Sequence, residues 1–222
     1  MNAAQLARIA KNHRSVGPPT DPFWADVTSL MHFDGSQGST TFTDQISANS
    51  WAVVGTAGGT FLDTTQIKFG SASLRLAGNA GIKSAASVLT NAATATIECF
   101  FYQAATNSNF RCIFAIDDDH GLYTQAAGMQ CFTSNAELTA ASYPVAQWNH
   151  VALVFNAGVA TLYLNGVSQS SGSGEWLTGA MYIGDDNASE LFTGWIDEFR
   201  ITSGVARYTS NFTPPSAPFP NS

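Results

Sequence analysis

Apolar and polar positions alternate in short bursts along most of this chain, and breaks rich in Gly, Asn, Asp and Ser separate the bursts. A two-residue period puts successive side chains on opposite faces, as in strands that bury one face of a sheet. It predicts strands over 27–33, 51–54, 73–76, 94–102, 110–116, 148–155, 159–164, 177–184 and 192–201. A further segment follows Gly58-Gly59, and one or two strands lie within 122–132. Asn156-Ala157-Gly158 and Asn165-Gly166 are hairpin signals, because such residues accept the positive φ of tight turns. Across 94–102 both faces are apolar enough to be covered. About a dozen short strands with hardly any helix and no fixed repeat predict an all-β fold of two packed antiparallel sheets.

The last predicted strand anchors the rest. Simple alternation along it sends Trp195, Asp197, Phe199 and Ile201 to one face and Ile196, Glu198 and Arg200 to the other. Residues 202–220 then read as a helix-start serine, a short helical turn, and a proline-rich strap. Tyr208, Phe212 and Phe219 would press this strap onto the finished domain. At the other end, 3–13 suits a short helix with Leu6, Ile9 and His13 on one stripe, and 15–22 suits an extended linker. The expected organisation is a helical or extended arm at 1–22 and one β domain at 23–222.

Charge sharpens the view of the arm. Three of the nine basic residues, Arg8, Lys11 and Arg14, fall in the first twenty positions, where there is no Asp or Glu. The remaining six face sixteen acids, so the arm carries +3 and the body −10. A body this acidic is a poor nucleic-acid surface. The amphipathic, basic arm (Leu6, Arg8, Ile9, Lys11, Arg14) is expected to dock on an acidic partner subunit. The three cysteines, Cys99, Cys112 and Cys131, have neither disulfide nor zinc spacing and are expected as buried thiols. No apolar run is long enough to insert in a membrane, and no export signal is visible, which predicts folding in a reducing cytoplasm.

Candidate chemistry is sparse. Glycoside hydrolysis needs two carboxyl groups across a cleft. Asp197 and Glu198 are neighbours, which simple alternation sends to opposite faces; Glu98 has Phe100 two residues on. No catalytic residue is expected. His150 reads as a hydrogen-bonded strand histidine, and His32 and His120 have no carboxylate–nucleophile partners identifiable by spacing. Asp197 is expected to accept hydrogen bonds from backbone or from Arg200 or Arg207. Two acidic loops, Asp117-Asp118-Asp119 and Asp185-Asp186-Asn187, are candidate Ca²⁺ ligands, since that ion takes six to eight oxygens. Trp176, Tyr123, Tyr143 and Phe110, in or near loops, are candidate sugar-stacking aromatics, Tyr123 and Trp176 foremost.

Six segments in order carry a family resemblance: Gln66 through Leu74, Ala95 through Tyr102, Trp148-Asn149-His150-Val151-Ala152, Leu162 through Val167, Tyr182-Ile183-Gly184, and Gly194 through Ile201. Together they resemble the laminin-G-like, concanavalin A-type jelly-roll domains over about 30–219. Leu76-Ala77-Gly78 stands where relatives often have Phe-Asp-Gly, which removes one carboxylate that metal-binding relatives use. The wording of 21–44 and 200–220 is similar to versions carried by tailed bacteriophages. The resemblance implies a non-enzymatic virion protein, tail-associated or capsid-decorating, that displays a lectin-like adhesion module for host-surface glycans. It also implies homo-oligomers, contacts with other virion proteins through the arm, and assembly in the host cytoplasm. A free-standing bacterial lectin is the alternative, and a glycoside hydrolase a more distant one.

Overall fold

The computed structural model describes residues 20–222 except Ser47, Ala57 and Ala141. The arm residues Leu6, Arg8, Ile9, Lys11 and Arg14 lie outside the described residues. A single 3-10 turn (Trp24–Asp26) leads into fifteen strands. They are β1 (Val27–Met31), β2 (Trp51–Gly55), β3 (Thr60–Asp63), β4 (Ser73–Ala77), β5 (Ala80–Ser84), β6 (Ala95–Tyr102), β7 (Arg111–Asp117) and β8 (His120–Gln125). The remainder are β9 (Gly128–Phe132), β10 (Glu137–Ala140), β11 (Trp148–Asn156), β12 (Val159–Leu164), β13 (Val167–Ser173), β14 (Tyr182–Ile183) and β15 (Thr193–Ser203).

All pairings are antiparallel, and they build two sheets. Sheet A runs β13-β12-β11-β6-β15-β4-β3 with β1 also on β15; sheet B runs β10-β9-β8-β7-β14-β5-β2. The expected two-sheet sandwich is what forms. One core fills the space between the sheets, with Phe101, Phe114, Phe155, Phe192 and Phe199 among its largest side chains. Trp176 is also in it, 1% exposed, between Phe114 and Phe155, with its Nε1–H on the Phe132 carbonyl (2.8 Å). The expectation that Trp176 and Tyr143 stack on sugar is corrected: both rings lie in the core, Tyr143 against Phe101 with its O–H on Gln103 Oε1 (2.7 Å), and neither offers a face. Both hairpin signals hold, with Ala157-Gly158 and Asn165-Gly166 at positive φ. The expected strand at 177–184 contracts to Tyr182–Ile183, because the segment before it crosses between sheets instead of pairing along its length.

The closing strand departs from simple alternation. Along β15 the register against β6 shifts between Asp197 and Arg200, and Glu198 adopts φ +53°. A bulge inserts one residue and so returns the next carboxylate to the same side. Asp197 stands opposite Phe100, Arg200 opposite Glu98, and Phe199 in the core, so Asp197 and Glu198 both lie on the outer side of sheet A. The expectation of opposite faces fails here. The cause is local: β4 pairs with β15 only through Ile196, and β1 takes over from Phe199. The bulge fills the handover. Lys68 and Phe69 N–H, just before β4, donate to Asp197 Oδ2 (2.9 and 3.1 Å). Glu198 serves the other side, with His32 Nδ1 after β1 at 2.8 Å and Phe219 N–H at 2.8 Å.

Residues 204–222 lie across sheet A as an extended strap, without the expected helical turn. Their polar groups find partners on the sheet instead of in a helix: Arg207 N–H donates to Thr96 Oγ1 (2.9 Å) and Phe212 N–H to the Gly166 carbonyl (2.9 Å). Gly166 is required at that turn, since a Cβ there would collide with the Phe212 backbone. Ser203, the expected helix cap, accepts from Thr90 and Asn91 N–H in a neighbouring loop.

Candidate functional site

The two outer faces of the sandwich differ. On sheet A a cluster of charged residues sits beneath the strap. Arg200 reaches Glu98 Oε1 (Nη2, 2.7 Å) and Asp21 Oδ2 (Nη1, 2.9 Å), while Arg207 binds both oxygens of Asp21 (2.9 and 2.7 Å). Tyr208 O–H donates to Glu98 Oε2 (2.8 Å), and His150 Nε2 lies 3.2 Å from it. Burial alone would raise the Glu98 carboxyl, but Arg200 and His150 more than offset it and hold it well below the ordinary range. Asp21 is likewise lowered, because its arginines outweigh its burial. Asp197 goes the other way: burial outweighs its N–H donors and pushes it up to about 8. Burial would lower the His32 ring, yet Glu198 outweighs it and raises the pKa. Glu98, Asp197 and Glu198 are all within 1% of full burial, so this constellation is sealed. His150 is the hydrogen-bonded strand histidine expected. Asp197 takes the backbone option, its nearest arginines being engaged elsewhere.

Among the described residues no strap crosses sheet B. On its outer face Tyr123, Phe110 and Phe132 form a triangle of rings with centroids 5.7, 5.8 and 5.7 Å apart, all edge to face. Beneath them lie Cys112 and Ala115. Phe110 and Phe132 remain half-buried, so the cluster is reachable from solvent. Beside it opens a cleft of about 680 Å³ between the β7–β8 turn and the β9–β10 turn, lined by Asp118, Asp119, His120, Phe132, Ser134 and Leu177. Leu177 is 51% exposed, an apolar lip on a polar rim.

His120 ties that rim together. Its Nδ1 lies 2.7 Å from Asp117 Oδ1 and its Nε2 3.3 Å from Ser134 Oγ. The carboxylate and hydroxyl that spacing did not reveal are thus both present; they sit three and fourteen residues away, across two turns. The arrangement is not that of an activated serine. The Ser134 hydroxyl donates to the Glu175 carbonyl (2.7 Å), so the ring contact is made to its oxygen, the reverse of what a general base needs.

The two acidic loops approach each other through Tyr123, whose hydroxyl lies 3.3 Å from the Asp118 carbonyl and 3.4 Å from Asp186 Oδ2. Burial, with Asp186 nearby, pushes the Tyr123 hydroxyl far up. Tyr123 is 2% exposed, so it is the floor of the ring cluster, and Phe132 and Phe110 are the parts a ligand could meet. The sequence pointed to Tyr123 and Phe110 and not to Phe132, whose signal was its place two residues before the Ser134-Asn135 turn. The loop acids serve the loops. Asp186 Oδ1 accepts from Ala188, Ser189 and Glu190 N–H (3.0, 3.2 and 3.2 Å), and Asp185 Oδ1 from Asn187 N–H (2.8 Å). Asn187 Oδ1 accepts from Tyr182 O–H (2.9 Å), and Asp117 Oδ1 from Asp119 N–H (3.1 Å). Burial raises Asp185, with Asp186 adding to it. Among the described residues no three Asp, Glu, His or Cys side chains converge as a metal site would require.

Solved structures share this architecture. Domain 4 of AbnA, a GH43 extracellular arabinanase from Geobacillus stearothermophilus, in complex with arabinotriose, superposes with a TM-score of 0.64 at 20% identity, covering 82% of this chain and 94% of that domain. Trypanosoma rangeli sialidase in complex with sialic acid gives 0.58 at 10% identity over 96% of this chain, which spans only 36% of the sialidase. The cellulose induced protein Cip1 gives 0.51 at 14% identity, covering 70% and 92%. At these identities the likeness is one of fold. No curated protein matches the sequence. Residues 76–207 match Laminin_G_3, described as the concanavalin A-like lectin/glucanases superfamily, and cover more than half of the chain. The chain belongs to that superfamily.

Proposed function

We propose that this chain is a non-enzymatic, lectin-like module that binds a glycan in the sheet B cleft. The observation that carries the reading is the half-buried pair Phe110 and Phe132, held by Tyr123 beside a cleft with the Leu177 lip and the Asp118, Asp119 and His120 rim. Rings of this kind stack on the apolar faces of sugars, and the rim supplies the few polar groups that orient a ligand. The arabinotriose complex of the AbnA domain supports a saccharide as ligand class. The direction of the Ser134 hydrogen bond and the sealing of Asp197 and Glu198 support binding without turnover. The finer placement follows the resemblance to tailed-bacteriophage proteins: the module is displayed on a virion, docked through residues 1–22, and weak sites repeated on the particle gain avidity.

Calorimetry against a glycan panel tests the binding. Phe132→Ala should weaken the best ligand about tenfold, a stacking contact of about 1.4 kcal/mol. Absence of any binding at millimolar sugar would refute the reading. Release of sugar or of p-nitrophenol from glycoside and acetate esters, lost in His120→Ala, would overturn the non-enzymatic part. A protein lacking residues 1–19, which keeps Asp21 in its network with Arg200 and Arg207, that still joins particles would overturn the docking role.

A further inference from the structure

A second surface lies on sheet A where the strap does not reach. Cross-strand register sets five residues in one row: Trp148 opposite Tyr102, Tyr102 opposite Trp195, Trp195 opposite Arg75, and Arg75 opposite Phe61. Partners in register share a face, so all five project outward across five consecutive strands. At about 4.8 Å per strand the row is roughly 19 Å long. Ring centroids are 5.8 Å apart between Trp148 and Tyr102 and 5.5 Å between Tyr102 and Trp195, and the Arg75 guanidinium stacks 4.3 Å from the Trp195 ring. All five are half-buried, and beside Trp195 opens a cleft of about 220 Å³ whose lining includes Asn107 and Thr193.

The charge of this row opposes that of the body. Arg75 lies in it, and Lys68 lies next to it, its Nζ 4.9 Å from the ring of Phe100, two residues before Tyr102 on the same face. Neither cation has a carboxylate within ion-pair distance among the described residues. Asp63 attracts Arg75 without pairing with it, its oxygens accepting from Trp195 Nε1–H (2.9 Å) and Thr65. One nitrogen of Arg75, Nη1, donates to the Leu76 and Gly194 carbonyls, so the rest of the guanidinium is left for a ligand. Asp34 accepts from Ser71. A row of alternating ring faces and edges suits a chain of pyranose rings, and unpaired cations beside it suit carboxylates on that chain.

We infer that this row binds a linear acidic polysaccharide, with sugar faces on Trp195 and Trp148 and uronate carboxylates at Arg75 and Lys68. It is separate from the sheet B cleft and would stand if that cleft bound nothing. The full chain would be tested by biolayer interferometry on immobilised polygalacturonate, with neutral dextran as control. Polygalacturonate should retain the protein, less so at high salt, and dextran should not. Trp195→Ala and Arg75→Gln should each weaken retention about tenfold, and Phe132→Ala should leave it unchanged. Lys68→Gln, which removes a charge and its contacts with the Phe69 and Phe100 rings but no buried packing or hydrogen bond, should weaken it about threefold and guards against misfolding of the other variants. No retention on polygalacturonate, equal retention on dextran, or loss with Phe132→Ala alone would overturn the inference. So would a wild-type dimer in sedimentation that Trp195→Ala dissolves, since the row would then be a self-contact.

Discussion

The outer face of sheet A under the strap and the outer face of sheet B hold similar chemistry and use it differently. Under the strap lie Glu98, Glu198, Asp197, His32, His150 and Arg200, with Arg207 reaching in from the strap itself, more ionisable groups than the cleft contains. Each is covered and bonded, and the network joins the two ends of the described chain: Asp21 N–H donates to the Ser222 carbonyl (2.5 Å), and the Asp21 carboxylate holds Arg207 of the strap. On sheet B the groups are fewer, yet Phe132, Ser134 and Leu177 meet solvent. A dense constellation of charges is therefore poor evidence for a site. What distinguishes the faces is cover, which the strap supplies to one and not the other.

The comparison is broken most severely at Arg200. Arg200→Met leaves Glu98 and one side of Asp21 buried without their cation. Losing one partner of a buried ion pair typically costs about 3–5 kcal/mol, which in a domain of this size lowers Tm by roughly 10 °C. Differential scanning calorimetry measures it, and a loss of only a degree or two would show that the network does not hold the strap. Phe219→Ala should cost less, about 3 kcal/mol, because it removes the ring that covers Phe100 and lies 3.8 Å from the Arg200 guanidinium but leaves the Phe219 N–H on Glu198 and the ion pairs in place. Faster proteolysis within 204–222, with the rest of the chain intact, would report the released strap.

How much of this was legible follows from where the signals are local. Strands and hairpins were, since alternation and Asn-Gly turns are properties of adjacent residues; 159–164 coincides with β12. The strap was legible from Tyr208, Phe212 and Phe219 ahead of and among prolines, though not its lack of helix, because Thr96 and Gly166, far away in sequence, compete for its backbone. The bulge at Glu198 was not legible. It depends on where β4 stops and β1 begins along β15, a tertiary fact. The cleft was half legible: Tyr123 was found, but Trp176 has the same local look and lies in the core. His120 met Asp117 and Ser134 only when two turns came together.

The pH dependence sharpens the contrast on the strap face alone. Asp21 and Glu98 have pKa values depressed on folding, so their contribution is present above the ordinary carboxylate range and is lost as pH falls through the folded values. Asp197 and His32 are raised, so theirs is present at low pH and is lost as pH climbs, for Asp197 up to about 8 and for His32 from about 6.5 upward. Opposite slopes make a dome with its top within the ordinary carboxylate range, where the unfolded acids ionise. Urea unfolding across pH 3–9 measures it; His32→Gln should flatten the alkaline side, and a monotonic rise to pH 8 would contradict the assignment.

The smallest effect is expected at Asp119, and it tests the open face. Asp119 is exposed at the cleft rim, and its backbone N–H, which a side-chain change leaves in place, makes the bond to Asp117. Asp119→Asn should therefore move Tm by about a degree or two at most, as exposed substitutions outside such networks do. Its effect belongs to binding: loss of a rim acceptor should weaken a glycan held against Phe132 a few-fold, read by the same calorimetry. A large fall in Tm would mean that the acidic turn is part of the structural frame, as the charges under the strap are. The two faces would then differ in cover and not in role.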